Sequence, residues 1–297
     1  MRLTVRHQTR YDYEPMAERV ALRLRLWPSS FDGQARVDWT VRVNGAEVAA
    51  LVKDAWGNLV GLWRSSAGES DVQIEAQGSV ATQDKVGIVS GLPRHPPPAV
   101  FLRDTALTAP AAPVRAFAEG VDGPEPGAGR LAWLHALSDA VAEAVRYRPA
   151  ATTPATSAAA ALELGAGVCQ DQTHLFLAAA RAQGVPARYV VGYLAEAAAG
   201  EAGDAGDTGD TGEEDAGFET HAWAEAFVPD IGWIGFDPTH RRCPTEHYVR
   251  LTCGLDAVDA APVNGVVLGQ AEVAMSARVE IAPDAGGAGA QSQGQSQ

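Results

Sequence analysis

Cys169, His221 and Asp237 have the residue types, and stand in the order, that nucleophilic thiol chemistry requires. Cys169 lies in Gly165-Ala-Gly-Val-Cys-Gln-Asp-Gln-Thr-His174, where a glycine-flanked turn runs into an apolar, Ala-rich segment with helical character. Only the thiolate attacks carbonyl carbon well, and a helix N-terminus favours it through unpaired N–H groups and the helix dipole. His221, in Thr220-His-Ala-Trp-Ala-Glu225, completes a thiolate–imidazolium pair and returns a proton to a leaving amine. Asp237, in Gly232-Trp-Ile-Gly-Phe-Asp-Pro-Thr239, fixes the tautomer and orientation of that histidine. Gly165 and Gly167 permit the tight turn that presents Cys169, whose own N–H serves as one oxyanion donor.

The segments around these residues set the geometry. His221–Val228 and Gly232–Asp237 read as two strands joined by the turn Pro229-Asp-Ile-Gly232, so an antiparallel pair brings His221 and Asp237 together. Glu225 shares the His221 face and is a rival orienter. The segment Cys169–Gln183 reads as a helix stopped by Gly184-Val-Pro186, and Ala187–Leu194 reads as a strand. Helical spacing also marks Ala112–Glu119 and Gly129–Tyr147, with Leu131, Leu134, Leu137, Val141 and Val145 recurring on one face. Helices followed by antiparallel strands predict an α+β domain.

Upstream the pattern is different. Alternation in Leu3–His7, Val20–Leu26, Val37–Val43 and Val72–Ala76, separated by Asp32-Gly33, Asn44-Gly45 and Trp56-Gly57-Asn58, predicts a β-sandwich over residues 1–95. Asn44-Gly45 is a hairpin signal. The cluster Pro93-Arg-His-Pro-Pro-Pro98 interrupts strand pairing and marks the boundary. The catalytic domain is then expected at 96–283, with a disordered acidic insert at 196–217 and a disordered tail at 284–297.

The 297 residues suffice for two domains with their own cores. No apolar run is long enough to span a bilayer, and the first ten residues lack the apolar core of a signal peptide. Three cysteines without a pairing pattern fit a reducing compartment. The cytoplasm is therefore the expected location, and no membrane partner is expected. The net charge of -14 argues against nucleic acid as a partner. Nine acids fall within residues 196–219 with no Lys or Arg, so much of this acidity belongs to one segment. Its place just before His221 puts it beside the cleft, either as a gate that disfavours acidic substrates or as a neutral low-complexity expansion. Nothing in the sequence specifies an oligomeric state.

Other groupings carry less. His240, Cys243, His247 and Cys253 match no common zinc spacing. Asp204, Asp207 and Asp210 recur every third residue, whereas a calcium loop needs alternate-residue ligands. Gly165-Ala-Gly167 lacks the third glycine of a dinucleotide loop. No metal or cofactor is expected. His174 lies off the Cys169 face of the helix and reads as structural, and Trp223 and Trp233 read as cleft-wall or core residues.

Taken together, Gly167-Val-Cys-Gln-Asp171, Gly184–Tyr193, His221-Ala-Trp223 and Gly232–Thr239 resemble the blocks of the bacterial transglutaminase-like proteins, in the same order. These belong to the papain-like cysteine-peptidase and transglutaminase superfamily. The resemblance implies that Cys169, His221 and Asp237 form a catalytic triad. It also implies that residues 1–95 are an associated N-terminal β-sandwich, where Tyr11–Pro15 and Asp54–Asn58 look typical. Gly254–Gly265 matches a further segment. Related enzymes use an upstream aromatic as second oxyanion donor, which makes Tyr147 the candidate; its other reading is a core tyrosine at a helix end. The chain departs from the family at Gln172, usually aromatic, and at His240, usually Asn.

The implied activity is attack on an amide carbonyl of a peptide or protein through a Cys169 thioester. Water as acceptor makes a peptidase or amidase, and an amine makes a cross-linking transferase. Hydrolysis is the expectation, because selecting an amine demands a water-excluding tunnel that no motif encodes. The alternative is a catalytically silent scaffold whose β-sandwich binds a partner protein; the intact Cys-His-Asp set argues against it.

Overall fold

The computed structural model describes residues 1–92, 96–122, 129–195 and 220–284. The first half is strand-built: β1 (Arg2–Ala17), β2 (Arg19–Leu24), β3 (Gln34–Val43), β4 (Ala46–Glu47), β5 (Val52–Lys53), β6 (Leu59–Arg64), β7 (Glu69–Thr82) and β8 (Ile88–Val89). Then follow α1 (Ala112–Glu119), α2 (Arg130–Ala144), β9 (Arg146–Tyr147), α3 (Ala158–Leu164), β10 (Ala166–Gly167) and α4 (Cys169–Ala182). The last part holds β11 (Ala187–Leu194), β12 (His221–Val228), β13 (Gly232–Phe236), β14 (Tyr248–Gly254), α5 (Ala257–Ala260), β15 (Val263–Leu268) and β16 (Glu272–Pro283). The fold is α+β, a strand-rich N-terminal region followed by a core of helices on an antiparallel sheet. Among the described residues no helix is long and apolar enough to cross a membrane.

Two sheets form the sandwich, ordered β16-β1-β7-β3-β4 and β15-β2-β6-β5. Strict alternation in β1 and β2 sends Leu3, Val5, Leu22 and Leu24 inward, to a shared core with Val41, Val43, Val72 and Ile74. The Asn44-Gly45 hairpin forms as predicted, both residues at positive φ (48° and 78°) between the Val43–Ala46 pair.

The domain boundaries expected from sequence need correction at both ends. β15 and β16, assigned to the catalytic domain as part of 96–283, return to the sandwich, pairing with β2 and β1. β8, assigned to the sandwich, instead joins the edge of the core sheet through β13. Edge positions offer free N–H and C=O groups irrespective of sequence distance, so pairing overrode linear order. The expected insert at 196–217 and the tail from 285 lie outside the described residues, as do residues 93–95 of the proline cluster.

The core sheet runs β14-β11-β12-β13-β8, antiparallel throughout. Helix α4 packs on one side of β11 and β12, flanked by α1, α2 and α3. From the other side Tyr193, Val249 and Leu251 enter the sandwich core. Both faces of β11 and β14 are covered, so nearly every residue is buried, Arg188 and Arg250 included. The outer edge of β14 is capped by two amides acting as surrogate strands. Gln34 donates to the Arg250 carbonyl and accepts its N–H (2.7 Å each), and Asn58 does the same at Cys253 (2.8 and 2.9 Å).

Gly192 of β11 pairs with His221, and a Cβ there would lie 2.1 Å from the Val249 carbonyl and 2.4 Å from the Trp223 ring. Gly192→Ala is expected to destabilise the protein by about 1–3 kcal/mol through overpacking. It should also displace Trp223 from beside His221, so a thermal melt and a Cys169 labelling rate should fall together.

Candidate active site

Each reactive side chain is placed by a local device. Helix α3, which the sequence reading passed over, begins at Ser157, whose hydroxyl caps the Ala160 N–H (3.3 Å), and ends at Gly165 in the left-handed region (φ 67°). The chain then forms β10, parallel to β9. At Gly167 a Cβ would sit 2.7 Å from the Asp171 side chain, so the turn into α4 requires glycine. Asp171 accepts the Val168 N–H (2.8 Å) and the Thr152 hydroxyl (2.6 Å), pinning the turn. Cys169 is the first residue of α4, half-buried, and its N–H is among the first-turn donors that no helical carbonyl can reach. At the far end Arg181, buried, donates to the carbonyls of Phe101, Ala187 and Leu255, and so fixes the helix against the sheet.

His221 opens β12. Its Nε2 meets Asp237 Oδ2 at 2.7 Å, leaving Nδ1 for Cys169, which lies within hydrogen-bonding reach of the ring. Burial opposes a charged imidazole here. The Asp237 charge and hydrogen bond, joined by Cys169, outweigh it and lift His221 to about 10. Asp237 is fully buried, and burial would raise it; His221 first, then His240, hold it well below the usual carboxylate range. An ionised carboxylate only accepts, so its neighbours donate. Oδ2 therefore takes hydrogen bonds from His221, from His240 Nδ1 (2.8 Å) and from the Tyr248 hydroxyl (2.8 Å).

The structure thus brings Cys169, His221 and Asp237 together as the sequence order suggested. Glu225 is not an orienter: it lies buried between Arg188 (2.6 Å) and Arg250 (2.7 Å). It shares the His221 strand face, but cross-strand arginines claim both its oxygens. Tyr147 lies on β9 opposite Gly167, 57% exposed, and is not a core tyrosine. The expected helix Gly129–Tyr147 ends at Ala144, and the Val145 carbonyl is instead capped by Gln172 Nε2 (2.7 Å). Gln172 also accepts from the Thr239 hydroxyl (2.6 Å), linking α4 to the loop after Asp237. His174 accepts the Ala257 N–H (3.1 Å), is lowered to about 4 by burial, and is structural.

Sequence reasoning missed two residues that hold Asp237. His240 stood out as a departure from the family but not as a partner of Asp237, and Tyr248 arrives on another strand. His221, Asp237 and His240 place three ligand-type atoms within 4.8 Å of one another, but each contact is an imidazole–carboxylate hydrogen bond that leaves the set satisfied. Cys243, His247 and Cys253 are outside that group.

Asp237→Asn is expected to destabilise by about 3 kcal/mol where both partners are charged, since it leaves a buried imidazolium uncompensated. The depressed carboxylate contributes above its ordinary 3.8, and the raised imidazole contributes fully below its ordinary 6.5, fading towards about 10. The deficit in urea unfolding should therefore be largest between these two values and shrink towards pH 10.

A thiol on a helix start facing an imidazole and carboxylate on an antiparallel sheet defines a transglutaminase-like α+β protein. Comparison with known families agrees. Residues 115–238, which contain all three side chains, match the Transglutaminase-like superfamily, and residues 3–81 match the Bacterial transglutaminase-like N-terminal region. The chain belongs to the transglutaminase-like superfamily. It is similar to an uncharacterized protein of Mycobacterium leprae, 29% identical over 94% of this chain and 98% of that one. An uncharacterized protein of Mycobacterium tuberculosis is 31% identical over 48% of this chain and 44% of its own length. The solved structure of a candidate cysteine protease from Cytophaga hutchinsonii shares the fold, with a TM-score of 0.71 at 21% identity, covering 95% of this chain and 90% of that one.

Proposed function

We propose that this protein is a cysteine-nucleophile enzyme that cleaves amide bonds of peptides or proteins through a thioester acyl-enzyme, with water as the acceptor. The observation that carries this reading is His221, held between Cys169 and the buried Asp237 and lifted to about 10. Such an imidazolium supports a thiolate and holds the proton a leaving amine needs. Cys169 Sγ attacks the carbonyl carbon, and the Cys169 N–H, with Tyr147 as the second candidate donor, stabilises the oxyanion. His221 Nδ1 protonates the amine as the C–N bond breaks and the thioester remains. His221 then takes a proton from water, which attacks the thioester; the C–S bond breaks, releasing the acid and leaving Cys169 as the thiolate beside the imidazolium. Cys169 and His221 both retain partial solvent access, which favours water over a selected amine.

The test is mass spectrometry of the intact protein after exposure to a peptide library, with Cys169→Ala as control. An acyl adduct on Cys169 that decays in water supports the reading. Decay only on adding a primary amine would replace hydrolysis by transfer, and no adduct from any amide substrate would count against both.

A further inference from the structure

A second pocket lies away from Cys169, at the junction between the sandwich and β14, with a volume of about 120 Å³. Its charged lining is cationic: Arg36 from β3, Lys53 from β5 and Arg250 from β14, beside Ser29 and Ser30, with no carboxylate among the described residues that line it. Trp27, Trp56 and Leu59 supply apolar walls. On a chain of net charge -14, this is a local reversal of sign.

The charges around it are not balanced from within. Arg250 and Arg188 share the single carboxylate of Glu225, so this buried trio keeps one surplus positive charge. Arg250 reaches the pocket rim by donating to the Ser29 hydroxyl (2.8 Å). Arg36 is half-buried, which lowers its pKa, and among the described residues no acid offsets that burial. A partly desolvated cation with like-charged neighbours gains most from an anion. The volume is about that of four liquid waters, enough for a carboxylate with a short aliphatic body.

We infer that this junction pocket is a binding site for a small carboxylate bearing a short apolar group, either a free acid or the C-terminus of a peptide. The carboxylate sits between Arg36, Lys53 and Arg250, and the aliphatic part lies against Trp27 and Trp56. The inference stands apart from the Cys169 chemistry and is tested by binding alone.

Two indoles in the wall make tryptophan fluorescence a direct readout for the full chain. Titration with isovalerate is expected to saturate at about millimolar Kd, with isovaleramide, the neutral isostere, at least tenfold weaker. Arg36→Glu and Lys53→Glu should each weaken isovalerate at least tenfold; the exposed Lys53 position keeps the test valid if Arg36→Glu fails to fold. An Ala-Ala-Leu peptide binding as its free acid and not as its amide identifies a chain end. Its failure where isovalerate succeeds identifies a free acid. Equal binding of acid and amide, no saturation by isovalerate, affinity unchanged in Lys53→Glu, or phosphate binding as well as isovalerate would each overturn the assignment.

Discussion

His221→Ala is expected to slow alkylation of Cys169 by iodoacetamide at pH 6 on the order of 100-fold. The reagent reads the thiolate, and an ordinary cysteine is only about 0.3% ionised at that pH. In the native site the imidazolium lifted to about 10 stands against Cys169 and supports the reactive anion. The variant should lose about tenfold in rate per pH unit below neutrality, whereas the native protein should keep its rate into mild acid. The other cysteines do not confuse the measurement: Cys253 is buried, and burial pushes Cys243 up to about 11. Equal rates and parallel pH profiles in the two proteins would remove the ion pair from the mechanism and favour a silent scaffold.

Glu225→Ala should have the largest effect on stability. Its carboxylate receives Arg188 Nε at 2.6 Å and Arg250 Nε at 2.7 Å, all within the buried sheet. Arg188 has no other ion-pair partner among the described residues and is stacked 4.0 Å over the Trp233 ring. Deleting the carboxylate strands two buried guanidinium groups, a loss of about 3–5 kcal/mol and roughly 10 °C in Tm. Glu225→Gln should come close to it, because the missing charge matters more than the missing volume. Burial works against the charged Glu225, but the two arginines hold it below its ordinary 4.5. Its contribution is therefore present above 4.5 and lost as pH falls through the depressed value. Urea unfolding at pH 7 should separate Glu225→Gln from the native protein widely, and the gap should narrow as pH falls below 4.5. A constant gap would assign the effect to packing.

The contrast between Glu225 and Asp237 shows what a strand pattern can convey. Both are acids on strands near His221, and alternation even placed Glu225 on the histidine's own face. Which acid meets the imidazole depends on what lies across the sheet, and the arginines that capture Glu225 come from β11 and β14. The roles of His240 and Tyr248 escaped notice for the same reason: each depends on its distance to one oxygen of Asp237. β16 was hidden differently. Val273, Met275, Ala277, Val279 and Ile281 do alternate along it, but its partner β1 lies at the opposite end of the chain, so its place in the sandwich could not be read locally. α3 was legible in principle, since Ser157 and Gly165 are ordinary cap residues.

The sequence by itself determined the nucleophile turn, the helix it starts, the strands that carry His221 and Asp237, and the alternating strands of the sandwich. Those features are written in local terms: glycines where the backbone needs them, apolar spacing of two or about three and a half, and turn residues between. The tertiary structure alone decided which nitrogen of His221 meets Asp237, the three donors on Asp237, the loss of Glu225 to a buried charge network and the return of the last strands to the sandwich. Each of these depends on groups far apart in the chain meeting within a few ångströms, and hydrogen bonding and charge at that range have no periodicity that a sequence can display.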